Sequence, residues 1–150
     1  MVAFEQKENN MKRIIDGASY DTDKAEKLGE DSYSNRRDFN FWEEALYRSR
    51  SGRYFLHGEG GPMSRYSVTT GQNEWSGGEK IIPLDRKTAM AWAEEHLTVQ
   101  QYTSIFGDPE EGWENINIRL STATLSKLRA SAEENKTTMT AIITKWIVDM

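Results

Sequence analysis

Asn115-Ile116-Asn117-Ile118-Arg119-Leu120-Ser121 alternates strictly between polar and apolar side chains. A period of two is that of a half-buried strand, so Ile116, Ile118 and Leu120 are predicted to share one face and Asn115, Asn117 and Arg119 the other. Ser121 or Thr122 then caps a predicted helix with Leu125, Leu128 and Ala132 on one stripe. Asn135 is its expected C-cap, since asparagine tolerates the left-handed conformation. Thr137 or Thr138 caps a last helix, in which Met139, Ile142, Ile143, Trp146, Ile147 and Met150 recur at intervals of three and four, an amphipathic pattern.

A strand and two short helices cannot bury these stripes alone, because a lone chain of fewer than about 40 residues rarely folds without help. Pairing two copies solves the problem. Two strands form an antiparallel ribbon, and four helices enclose one shared core. That core is expected to hold Ile116, Ile118, Leu120, Leu125, Leu128, Ile142, Ile143, Trp146 and Ile147.

Residues 114–150 resemble the ribbon-helix-helix family of Arc- and MetJ-like repressors. The resemblance rests on the Asn-Ile-Asn-Ile-Arg-Leu strand and on the inter-helix turn Ala132-Glu133-Glu134-Asn135. It implies a homodimer that inserts its ribbon into the major groove of double-stranded DNA. By position it makes Asn115, Asn117 and Arg119 the base-reading side chains. Arginine suits guanine O6/N7 and asparagine suits adenine N6/N7. It also places a phosphate at the start of the second helix, on the backbone N–H groups of Thr138 and Met139 with the hydroxyl of Thr138 or Thr140. Where the family often has glycine in the turn, this chain has Asn135-Lys136.

Upstream, the expectation is a small α+β domain over residues 11–107, hairpins followed by two helices. A frayed tail (1–10) precedes it, and a linker (108–113) joins it to the 114–150 module. Lys12 to Ile15 reads as a strand closing at Asp16-Gly17. Asp21-Thr22-Asp23 is predicted to cap a short helical turn through Gly29, with a polar loop over 30–38. Ser51-Gly52 punctuates a hairpin made of Leu46–Arg50 and Arg53–Leu56. His57 to Pro62 and Gly71 to Gly78 are predicted loops. Ile81 to Leu84 is a brief strand. Asp85 caps a helix to about Leu97 with Ala89, Met90, Ala93 and Leu97 inward. Thr98 and Gln101 have capping-box spacing for a second helix, with Val99, Tyr102, Ile105 and Phe106 apolar. Gly107 closes it, with Pro109 just beyond.

Composition narrows the function. The chain has 150 residues, 37% hydrophobic and 29% charged, and five Trp, six Tyr and five Phe can fill a core. With no cysteine there is neither a disulfide nor a thiolate metal site, and His57 and His96 are too few for a histidine site. No apolar run approaches the ~20 residues of a membrane span, and the N-terminus has no signal-peptide pattern, so a soluble cytoplasmic protein is expected. The net charge of −5 is uneven: residues 1–113 carry 14 basic and 20 acidic side chains, residues 114–150 five and four.

No catalytic constellation stands out, so neither an enzyme nor a cofactor is expected. Glu43-Glu44 and Glu94-Glu95 read as solvated helix faces, and His57 as part of a glycine-rich loop that lacks phosphate-cradling spacing. Trp42, Trp75 and Trp92 read as core. The opening Lys12-Arg13-Ile14-Ile15-Asp16-Gly17 with Tyr20-Asp21-Thr22 is similar to small acidic proteins of phages and other bacterial mobile elements. Two functions follow. The first is a transcriptional autorepressor whose acidic domain senses or binds a protein partner. The second is an anti-CRISPR inhibitor of a defence nuclease, dimerised by its C-terminal module.

Overall fold

The computed structural model describes residues 10–150, so the tail expected for residues 1–10 lies, but for Asn10, outside them. The described residues divide into two compact units, one ending at Asn117 and the other spanning Ile118–Met150.

The first unit is built on a four-stranded antiparallel sheet. Its strands are β3 (Glu26–Tyr33), β4 (Trp42–Arg48), β5 (Tyr54–Gly60) and β8 (Gly78–Leu84), in the order β3-β4-β5-β8. Two small hairpins accompany it: β1 (Lys12–Ile15) with β2 (Ala18–Asp21), and β6 (Val68–Gly71) with β7 (Glu74–Ser76). Helices α1 (Arg86–His96) and α2 (Val99–Phe106) follow.

The alternation of β4 and β5 sends side chains to two different neighbours. Leu46, Tyr54 and Leu56 pack against Ala89, Trp92, Ala93, Ile105 and Phe106 of the helices. From the opposite face, Phe55 and Ile81 pack against Met11, Ala18 and Tyr20, so the β1–β2 hairpin covers part of that face. Each large buried side chain contributes roughly 1.5–3 kcal/mol. The helices begin as expected. Asp85 accepts from the Thr88 N–H, and Thr98 and Gln101 close a capping box. Val99, expected among the apolar residues of α2, lies exposed.

The structure corrects several local expectations. Asp21 accepts from the Asp23 N–H and closes a turn. The short helix expected after it is absent, and β3 occupies much of the supposed polar loop. Its charged side chains reflect a strand at the end of the sheet order, with a bulge between Lys27 and Gly29. The supposed loop from His57 continues β5 as far as Gly60. A Cβ at Gly58 would overlap the Tyr66 ring, so glycine there makes room for a neighbour instead of breaking the strand. Trp75 lies exposed on the β6–β7 hairpin, outside the core assigned to it. Pro83 sits inside β8, opposite Phe55.

The expected linker belongs to the first unit. Asp108 caps a 3-10 turn (Pro109–Glu111), and Gly112 ends it in the left-handed conformation.

The second unit contains α3 (Thr122–Glu134) and α4 (Met139–Val148), capped by Ser121 and Thr138. Asn135 ends α3 at φ −91°, and it is Lys136 that takes the left-handed conformation at φ 51°. Asn135 contributes its side-chain amide instead, donating to the Ser131 carbonyl. The strand expected over Asn115–Ser121 is not formed: residues 113–121 are neither helix nor strand.

Candidate nucleic-acid interface and acidic groove

Over residues 116–150 the apolar residues split into two sets. Leu128, Ala132 and Ile142 are buried, with Ile143 packed beside them, and Leu125 is half-buried. Ile116 is 69% exposed, Ile118 53%, Trp146 56% and Ile147 63%, and Leu120 is also exposed. The inter-helix core of one copy is therefore small, and much of the predicted apolar stripe faces outward.

The candidate base-reading residues have different surroundings. Asn117 and Arg119 are exposed, and each is flanked by the outward-facing isoleucines and leucine. Asn115 has work in the first unit. Its N–H donates to the Phe106 carbonyl at 2.8 Å, and its side-chain amide donates to the Ser104 carbonyl at 3.2 Å. It thus satisfies carbonyls at the C-terminal end of α2, which lack intrahelical donors. Arg86, the first residue of α1, donates to the Asn115 carbonyl at 2.9 Å and to the Glu114 carboxylate at 2.6 and 3.0 Å. Its guanidinium lies over the Phe106 ring. Gly107, at φ 95°, allows this close approach, because a Cβ there would meet Trp113 O and Asn115 N.

At the start of α4, Thr138, Met139 and Thr140 are exposed. Thr138 Oγ1 accepts from the Ala141 N–H and keeps its own proton for another acceptor. The N–H groups of Met139 and Thr140 belong to the first turn, where helical geometry supplies no carbonyl partner.

A second candidate lies in the first unit, on the sheet face that β1–β2 leaves partly open. Here β3, β4 and β5 line a groove of about 1030 Å³ that includes Glu30, Glu43, His57, Glu59 and Arg36. Arg36 pairs with Glu59 and, at 3.0 Å, with Glu43. Partial burial pushes the Glu43 carboxyl above the usual carboxylate range. The hydrogen bond and charge of Glu59 add to the rise, and Arg36 opposes it. His57 faces Glu79 of β8 at 3.1 Å. Among the described residues, no three His, Cys, Asp or Glu side chains converge as a metal site. Nor is any helix long and apolar enough to cross a membrane.

The adjacent glutamates that read as one solvated helix face lie on a strand and point opposite ways. Glu43 enters the groove. Glu44 is only 5% exposed, accepting from Trp92 Nε1 at 2.7 Å and Tyr66 Oη at 2.9 Å, with Arg65 also paired to it. The run Trp42-Glu43-Glu44-Ala45-Leu46 held a period-two signal that could have found this, since Trp42, Glu44 and Leu46 share parity. The Tyr66 hydroxyl is pushed up to about 12, chiefly by burial, with Arg65 opposing the rise and Glu44 adding to it.

Comparison with known proteins finds no matching family model, no matching curated protein and no matching solved structure.

Proposed function

We propose that the chain is a homodimeric ribbon-helix-helix DNA-binding protein, acting as a transcriptional autorepressor. One observation carries this reading: in the second unit Ile118, Leu120, Trp146 and Ile147 are exposed, while only Leu128, Ala132 and Ile142 are buried as a core. A second copy offers the matching apolar surface, and burying these side chains stabilises the dimer by roughly 25 cal/mol per Å² of apolar area. Pairing residues 116–120 of two copies as an antiparallel ribbon gives their backbone groups partners and turns Asn117 and Arg119 outward. Arg119 then has the bidentate geometry for guanine and Asn117 that for adenine. The Met139 and Thr140 N–H groups, the Thr138 hydroxyl and the positive end of the α4 dipole suit a backbone phosphate. Repression follows by occlusion of the promoter.

The test is a salt-titrated mobility shift on the chain's own promoter beside random DNA. Specific binding is expected to weaken with salt. Arg119→Ala is expected to lose about 1–3 kcal/mol per half-site. Equal affinity for promoter and random DNA at low salt would sink the reading.

The acidic groove favours a second reading, inhibition of a nuclease through its basic nucleic-acid channel. In that case Arg119→Ala leaves inhibition intact, whereas reversing Glu30, Glu43 and Glu59 to lysine abolishes it.

A further inference from the structure

Glu114 and Asn115 stand at the entrance to the ribbon, yet the first unit holds both. An antiparallel ribbon that included Asn115 would need its N–H and carbonyl for the ladder, or its amide for a base. All three are engaged: the N–H with Phe106, the carbonyl with Arg86, the amide with the last turn of α2. Arg86 supplies one of these contacts, to the carbonyl, while the carbonyls of Phe106, Ser104 and Thr103 at the end of α2 hold the N–H and the amide. Arg86 grips Glu114 and Asn115 together while resting on Phe106 and reaching the Tyr54 hydroxyl at 3.3 Å. The grip is partly solvent-exposed, with the Arg86 side chain 30% and Glu114 60% accessible. Exposed ion pairs are worth little individually, so the grip can open without unfolding the domain.

We propose that the end of α2 and Arg86 together form a latch that withholds Asn115 from DNA. This rests on the DNA-binding reading above and deepens it. With the latch closed, Asn117 and Arg119 alone read bases. With it open, Asn115 joins them, and each half-site gains one further adenine-preferring position. A partner that engages Arg86 or Glu114 in the first unit would thereby change both the affinity and the length of the recognised sequence.

The test is a double-mutant cycle on operator affinity and base preference, run with the full chain. Asn115→Ala in the wild-type background sets the baseline of the cycle, read as base preference beside affinity. Arg86→Ala is expected to raise affinity about tenfold and to add discrimination at one more base pair per half-site. Asn115→Ala in the Arg86→Ala background should remove both gains. Glu114→Gln, which alters only an exposed side chain, should give a smaller gain in the same direction, and it carries the test if Arg86→Ala fails to fold. A loss of about tenfold for Asn115→Ala in the wild-type background would overturn the latch while leaving DNA binding in place. So would an unchanged base preference in both Arg86→Ala and Glu114→Gln. If the wild type itself shows no operator preference, the DNA-binding reading falls and the latch falls with it.

Discussion

Glu44 is a carboxylate taken out of water and repaid by named donors. Trp92 Nε1 and Tyr66 Oη approach it from α1 and from the loop after β5, and Arg65 supplies the opposing charge. Hydrogen bonds to a charged group contribute more than neutral ones, so Tyr66→Phe is expected to cost about 1–3 kcal/mol near neutral pH. The elevated Tyr66 hydroxyl adds a pH signature. An unfolded tyrosine ionises near 10, the folded one near 12. The stabilisation is full below about pH 10 and is lost as pH rises toward about 12, because only the unfolded chain releases the proton in that window. Denaturant midpoints for wild type and Tyr66→Phe should therefore converge across that interval. A gap that stays constant to pH 12 would show that the hydroxyl does not carry this linkage.

Helix starts were legible in the sequence because capping is local chemistry. Asp85, Thr98, Ser121 and Thr138 each accept from an N–H three residues on; the sequence pointed to Asp85 and Thr98 singly, and to Ser121 or Thr122 and Thr137 or Thr138 as pairs between which the structure decides. Strand limits were less legible. The polar run of β3 and the glycines of β5 are decided by neighbours outside the strand itself, such as Tyr66 over Gly58. The division of labour within Asn115, Asn117 and Arg119 was likewise hidden, since alternation gives a face but cannot show that α2 has already engaged one member. The α3–α4 turn makes a separate point. Lys136 adopts φ 51°, which costs a side-chain-bearing residue about 1–2 kcal/mol and a glycine far less. Lys136→Gly is expected to raise stability by about 0.5–1 kcal/mol after the entropy of glycine is counted. Thermal unfolding at fixed protein concentration measures this, and a fall in midpoint would show that the lysine makes a compensating interaction.

For the whole molecule, the outward apolar set of the second unit predicts dependence on self-association. Ile118→Asp puts a charge where the proposed ribbon pairs across its two-fold axis, and sedimentation should then report a monomer with the first unit still folded. A dimer that survives this change would have to use another surface. The sheet of the first unit is poorly suited to be that surface. Its two outer strands are poorly matched to a further strand: Pro83 removes a backbone donor from β8, and β3 carries a bulge between Lys27 and Gly29 among the charged residues Glu26, Lys27, Glu30 and Asp31. Edge-to-edge polymerisation is thereby discouraged at both margins. In the proposed dimer, which would hold two copies of this sheet close together, such margins keep the sheets from joining edge to edge.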